Sequence, residues 1–157
     1  MHSSFQLVGI DHEPFQSLFS LSDEQLGEYS ARRCYANESS GYPCRISLQE
    51  ARAGEELLLL PYLHQPATTP YRASGPIYIR RGAVRRRLPV GELSSYVTSR
   101  LMSVRAYDAA HMIVDASVCE GSVTGSEIKK YFLREDVAYI HLHNARRGCF
   151  SCEVVRA

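Results

Sequence analysis

The sequence predicts a single α+β domain: a mostly antiparallel sheet with a few short helices packed to one side, closed by a C-terminal β-hairpin. Its 157 residues are the usual length of one compact domain, so we assign residues 1–157 to one domain. Hydrophobic residues make up 45% and charged residues 22%, the balance of a globular chain. Strand candidates outnumber helix candidates by roughly two to one, and their order favours antiparallel pairing.

The strand candidates are short segments with alternating or continuous apolar residues. The continuous run Glu56–His64 predicts a strand buried on both faces, with a bulge or a missing ladder partner at Pro61. The others, in chain order, are Phe5–Ile10, Arg45–Leu48, Pro76–Arg80, Leu101–Asp108, Met112–Cys119, Val137–Asn144 and Phe150–Arg156.

The helix candidates carry separate signals. Ser22 followed by Gln25 predicts a capping box that opens a helix to about Tyr29. Thr124–Arg134 has an apolar stripe at helical spacing, and Glu92–Tyr96 predicts a shorter helix.

The turn sets the register of the closing hairpin. Ala145–Gly148 fits a three-residue loop, in which a type I turn is followed by a left-handed glycine as a bulge. The competing register, with Asn144 opposite Cys149, mixes polar and apolar residues on both faces, so we prefer the first. The resulting pairs, from the turn outwards, are Ala145–Cys149, Asn144–Phe150, His143–Ser151, Leu142–Cys152, His141–Glu153 and Ile140–Val154.

This register gathers reactive side chains on one face of the hairpin. His141, His143 and Glu153 resemble a two-histidine, one-carboxylate site for a divalent metal ion. Alternatively, His143 lowers the pKa of the Cys149 thiol, which makes these two residues the catalytic candidates. The third interpretation is a polar face wetted by solvent, with Glu153 pairing a histidine.

A second candidate site is the polar loop Gln65–Gly75, which follows the buried strand. We predict that His64, Tyr71, Arg72 and Ser74 bind a small polar or anionic molecule, with Arg72 clamping a carboxylate or phosphate. Arg105, near a strand end, joins this set as a further binding residue. The alternative is a loop that satisfies its own groups, with Arg72 bonding nearby carbonyls.

The net charge and the number of cysteines limit which binding partners and which cellular compartment we expect for this protein. The net charge is +1, which argues against nucleic acid or a membrane as the partner of the whole molecule. The basic segment Arg80–Arg87 lacks the aromatic residues or recognition helix of a nucleic-acid site. MHSSFQLVGIDHEPF does not have the pattern of a signal peptide, and five cysteines do not suit a disulfide framework. We therefore expect a cytoplasmic protein with free thiols.

Three blocks, LLLLPYLHQPATTPYRASGPIYIR, LMSVRAYDAAHMIVDASVCEG and AYIHLHNARRGCFSCEV, resemble a small bacterial single-domain family of unknown function. The resemblance covers nearly the whole chain and implies a free-standing protein of about this length. It implies no activity, because none is assigned to that family.

The sequence leaves the function open between two main hypotheses. In the first, a small molecule binds between the His64–Ser74 loop and the face that carries His141, His143 and Cys149, and if the protein is an enzyme the molecule reacts there. This hypothesis requires the loop to fold over that face. In the second, the protein is a non-catalytic module for a ligand or a partner protein. Weak nucleic-acid association through Arg80–Arg87 is the third option.

The chain has no Walker A, dinucleotide-binding, H-E-x-x-H or nucleophile-elbow motif.

Overall fold

The computed structural model describes residues 4–157 and contains two five-stranded sheets. The strands are β1 (Phe5–Val8), β2 (Arg32–Tyr35), β3 (Pro43–Cys44), β4 (Gln49–Glu50), β5 (Glu56–Gln65), β6 (Ala73–Arg80), β7 (Leu101–Tyr107), β8 (Ile113–Glu120), β9 (Tyr139–Asn144) and β10 (Phe150–Arg156). The first sheet has the order β1-β10-β9-β7-β8, and the second has the order β2-β5-β6-β3-β4. The strands pair antiparallel, except that β3 and β6 are parallel. The predicted α+β class is confirmed, with the strands divided between two sheets.

Four short α-helices accompany the sheets in the part of the chain that is described: α1 (Glu13–Gln16), α2 (Asp23–Glu28), α3 (Ser95–Thr98) and α4 (Thr124–Phe132). The capping box at α2 is confirmed, because the Gln25 amide donates to Ser22 Oγ and the Ser22 amide donates to Gln25 Oε1. The helix expected at Glu92–Tyr96 begins later than predicted, with Ser94 as its N-cap residue. Within residues 4–157, no helix is both long and apolar enough to cross a bilayer.

Each face of the first sheet covers a different core. On one face, residues of β9 such as Leu142 pack with Ile128 and Phe132 of α4. On the other face, Phe150 of β10 joins Leu58 and Ile79 of the second sheet. The second sheet therefore packs against the side of the first sheet that α4 leaves uncovered.

Strand β5 is buried on both sides over its first half, as its continuous apolar run predicts. Leu57 contributes to a small cluster on one side, and Leu58 and Leu60 belong to the core between the sheets. Pro61 lies opposite Pro76, so neither residue can donate a ladder hydrogen bond. The bulge itself lies further along, between Tyr62 and Gln65.

The register of the hairpin is confirmed away from the turn and wrong beside it. Gly148 is left-handed, with φ of +81°, as predicted. However, its amide donates to the Asn144 carbonyl (2.8 Å), and the Asn144 amide donates to the Cys149 carbonyl (2.9 Å), so the loop has four residues. Asn144 therefore lies opposite Cys149, as in the competing register, and the pairs Ala145–Cys149, Asn144–Phe150 and His143–Ser151 do not form.

A bulge between Phe150 and Cys152 restores the predicted register further from the turn. Leu142–Cys152, His141–Glu153 and Ile140–Val154 are the observed pairs beyond it. Before it, Phe150 lies opposite His143 and turns into the core between the sheets, where 3% of its surface is exposed. The prediction assumed that only one face of the hairpin is buried, and two buried faces give no polarity contrast to fix the register.

Candidate metal centre between the two sheets

Three histidines from the two sheets converge in the space between them. His64 lies on β5, whereas His141 and His143 lie on β9. Each offers one ring nitrogen, and these three atoms lie within 4.8 Å of one another. His141 and His143 share a face because side chains alternate along a strand, and His64 continues the alternation of Leu58 and Leu60 toward the first sheet. We call these three residues the histidine cluster.

The ring hydrogen bonds indicate which nitrogens are free. His143 Nδ1 lies 2.9 Å from the Gly148 carbonyl, which can only accept, so Nδ1 carries the proton and Nε2 keeps a lone pair. The Nδ1 atoms of His64 and His141 are buried without a hydrogen-bond partner among residues 4–157. An unpaired buried polar atom costs about 1–3 kcal/mol, which a bound ligand would relieve.

The histidine cluster is uncharged at neutral pH. Burial, together with smaller effects of the neighbouring His143, His64 and Arg105, lowers the pKa of His141 to about 3. Burial likewise lowers the pKa of His143 to about 3, against the opposing effect of its bond to the Gly148 carbonyl. The pKa of His64 is also lowered, first by burial and then by Arg105. Neutral imidazoles are the form that binds metal ions.

The histidine cluster adjoins a cleft of about 440 Å³ that opens to solvent, and His64, His141, Tyr139, His111 and Glu153 contribute to its wall. Glu153 Oε2 lies 3.9 Å from His141 Nε2, and 46% of the Glu153 side chain is exposed. Burial raises the pKa of this carboxyl, although Arg85 and Arg87 act in the opposite direction. Glu153 is thus a partly exposed acid beside the histidine cluster.

A tyrosine links the two sides of the cleft. Gln65 Nε2 donates to the Tyr139 hydroxyl (2.9 Å), which also lies 2.7 Å from His111 Nδ1. Tyr107 stacks on Tyr139, with ring centroids 5.1 Å apart. His111 and Tyr107 were not among the predicted site residues, whereas Gln65 begins the predicted polar loop. The only local signal was an imidazole in the tight turn between β7 and β8.

The predicted binding loop lies beside the histidine face, with Pro66 and Ala67 in the wall of the cleft, but its residues have different environments. Thr69 Oγ1 donates to the His111 carbonyl (3.4 Å), and the Tyr71 ring meets Tyr107 edge-on. Arg72 donates to the Pro66 carbonyl of its own loop, as in the self-satisfying alternative. Ser74 is an exposed residue of β6 and is not part of the cleft wall.

Arg105 lies against the histidine cluster. Its Nε donates to Ser103 Oγ (3.2 Å), and its NH1 lies 3.5 Å from His143 Nε2. The structure therefore brings Arg105 together with His64, although they are far apart in the sequence. A guanidinium at this place favours an anionic ligand.

The predicted juxtaposition of Cys149 with His143 is wrong. The four-residue turn places Cys149 opposite Asn144, and Phe150 takes the position facing His143. Cys149 instead lines a separate cavity with Arg45 and Tyr42.

Several arginines of the predicted basic patch have partners within the protein. Arg80 pairs with Glu55, and Arg81 pairs with Glu56. Arg85 Nε donates to the Gly9 carbonyl. These contacts hold the segment to the protein and reduce the charge it presents.

The comparisons with known proteins identify a family without an assigned function. The chain belongs to the family described as "Protein of unknown function (DUF1203)", which matches residues 41–156. The resemblance seen in the sequence is thus confirmed, and the histidine cluster and Glu153 all lie inside the matched segment. Searches of the curated proteins and of the solved structures gave no match.

Proposed function

We propose that this DUF1203 protein binds one divalent transition-metal ion, with Zn²⁺ as the type, through His64, His141 and His143, and that a small anionic molecule binds beside it in the cleft. The observation that supports this most is the convergence of three neutral imidazoles from two sheets, those of His141 and His143 buried and that of His64 partly buried, two of them with unpartnered Nδ1 atoms. Imidazole nitrogens are ligands for zinc, copper, nickel and iron.

The geometry fits such an ion after a small adjustment. Zinc–nitrogen bonds of about 2.0–2.1 Å in a tetrahedron place ligand nitrogens about 3.4 Å apart. The three nitrogens, now within 4.8 Å of one another, would have to approach one another by about 1.4 Å at most, as estimated from the same bond lengths. The Gly148 carbonyl fixes the His143 tautomer in the way that outer-shell partners orient metal-binding histidines.

Three protein ligands leave a coordination position for a water or a substrate, which distinguishes catalytic zinc sites from closed structural ones. The ion would supply Lewis acidity there. Arg105 would pair with a carboxylate or phosphate of the bound molecule, and Glu153 would hold or transfer a proton at the cleft wall. Because Arg105 repels a cation, we expect the ion to bind most tightly together with an anion.

Titration of the chelator-treated protein with Zn²⁺ tests this proposal. The wild-type chain should take up one ion. His64→Phe keeps an aromatic ring against Phe150 but has no ligand nitrogen, and should weaken zinc binding by at least about 100-fold. His111→Phe, at the cleft wall outside the histidine cluster, is the matched control and should bind zinc like the wild type. Wild-type protein that takes up no zinc, or equal affinity in His64→Phe, would overturn the proposal.

A metal-free binding module is the second candidate, and one contact favours it. Arg105 NH1 already lies 3.5 Å from His143 Nε2, where it competes with an ion for that lone pair. In this alternative, Arg105 and the histidine cluster bind an anion directly. The distinguishing result would be stabilisation by small carboxylates that persists unchanged in excess chelator.

The cytoplasmic location expected from the sequence also remains a proposal. It is supported by the five cysteines, all of which are free thiols, as suits a reducing compartment. Nucleic-acid association through Arg80–Arg87 is less favoured, because the side chains of Arg80, Arg81 and Arg85 bond within the protein.

A further inference from the structure

A second cavity, beside the hairpin turn, has the features of an anion site. It measures about 640 Å³ and is separate from the cleft of the histidine cluster. Arg45, Arg100 and Arg147 contribute to its wall together with a single acid, Glu38. Since Arg100 also pairs with Glu50 (2.9 Å), the charge that remains for a ligand comes mainly from Arg45 and Arg147.

Arg45 is the central residue of this cavity because it is a buried cation without an anion. Only 3% of its surface is exposed. Its Nε donates to the Phe150 carbonyl (2.9 Å) and its NH1 to the Pro43 carbonyl (2.6 Å). Within residues 4–157, no carboxylate forms an ion pair with it. Carbonyl groups satisfy N–H donors but do not neutralise the charge, and an uncompensated buried charge is strongly destabilising.

The residues of the other cavity walls indicate which groups the ligand has besides its anionic group. The rings of Tyr42 and Tyr78 lie 5.4 Å apart and form an aromatic side. Asn144 also lines the cavity, and its buried Oδ1 has no hydrogen-bond partner among the residues described. A flat ring suits the tyrosines, and an N–H or O–H group on the ligand would satisfy Asn144.

We propose that this cavity binds a small organic anion, with its carboxylate or phosphate on Arg45 and Arg147 and a flat ring against Tyr42 and Tyr78. The site does not depend on the histidine cluster or on a metal ion. Cys149 lies in the cavity wall, so its thiol should be shielded when the ligand is bound.

Phenyl phosphate is the probe, tested in excess chelator so that the proposed metal centre contributes nothing. Inorganic phosphate and phenol each carry half of the probe and should both bind more weakly. Phenyl phosphate should slow alkylation of Cys149, measured by mass spectrometry, while alkylation of the partly buried Cys119, which packs against the core beneath α4, stays unchanged.

Matched variants at the turn localise the binding. Arg147→Gln removes an exposed arginine of the cavity and should weaken phenyl phosphate binding about tenfold. Arg146→Gln removes the neighbouring charge, which is outside this cavity, and should change affinity less than about twofold. Arg45→Gln should weaken binding further where circular dichroism shows a folded chain. Absence of binding, unprotected Cys149, or equal effects of the two turn variants would overturn the proposal, whereas His64→Phe should leave binding unchanged.

Discussion

The two faces of strand β9 are equally buried but chemically opposite. Ile140 and Leu142 point into the core beneath α4, where apolar side chains surround them. His141 and His143 point toward the second sheet, with 3% and 1% of their surfaces exposed. The first face gains stability from burial, whereas the second leaves His141 Nδ1 without a hydrogen-bond partner among the described residues. A buried polar group that leaves its hydrogen-bonding capacity unused is a reason to look for a ligand.

Acidification should destabilise the folded protein through the histidine face of β9. The folded-state pKa values of about 3 for His141 and His143 lie below the unfolded value, so the unfolded chain takes up protons more readily than the folded protein. The contribution of these two residues to the free energy of unfolding is therefore complete above pH 6.5 and is lost as the pH falls toward 3. At pH 5, the metal-free protein should have lost about 2 kcal/mol for each histidine. Urea unfolding in chelator at pH 7.5, 6 and 5 measures this. A free energy of unfolding that stays constant over the range would contradict it.

Truncation of a side chain on the apolar face of β9 should lower the free energy of unfolding almost as much as acidification does, but should leave metal binding intact. Leu142→Ala removes a fully buried side chain, and we expect a loss of about 3 kcal/mol in the free energy of unfolding at pH 7.5. Zinc affinity of the folded variant should change less than about threefold, on the assumption that the cavity leaves β9 in place. A small stability loss, or loss of zinc binding in a folded variant, would show that the two faces do not act separately.

Replacement of a histidine on the other face of β9 should have the opposite consequences, with stability retained and zinc binding lost. His141→Leu replaces a partly unpaired imidazole with an apolar side chain, so the metal-free variant should be as stable as the wild type or up to about 2 kcal/mol more stable. It should also lose zinc binding and about half of the acid sensitivity. Thermal and urea unfolding with and without zinc measure both effects. Clear destabilisation of the metal-free variant would mean that the imidazole is needed for packing.

The smallest effect is expected at the edge of the cleft. Tyr139→Phe removes the hydroxyl that accepts from Gln65 and lies beside His111 Nδ1, and should cost about 1 kcal/mol of stability. Zinc affinity should be retained, because Tyr139 is outside the histidine cluster. Unfolding and zinc titration of this variant therefore sharpen the boundary of the proposed site, and a loss of zinc binding would place Tyr139 inside it.

Local patterns predicted the elements that depend on neighbouring residues. The capping box at Ser22, the burial of β5 and the pairing of His141 with Glu153 all follow from short-range spacing. The meeting of His64 with β9 depends on how the two sheets pack, for which a single sequence contains no periodic signal. Cys149 was misplaced because one extra turn residue reverses the face of the side chains next to it.

Crystals of the zinc-loaded protein test most directly whether the histidine cluster binds a metal ion. Anomalous scattering at the zinc edge should show one ion bonded to nitrogens of His64, His141 and His143 at about 2.0–2.1 Å, with a further position open to the cleft. Zinc found only at other residues, with Arg105 still against His143 Nε2, would contradict the claim.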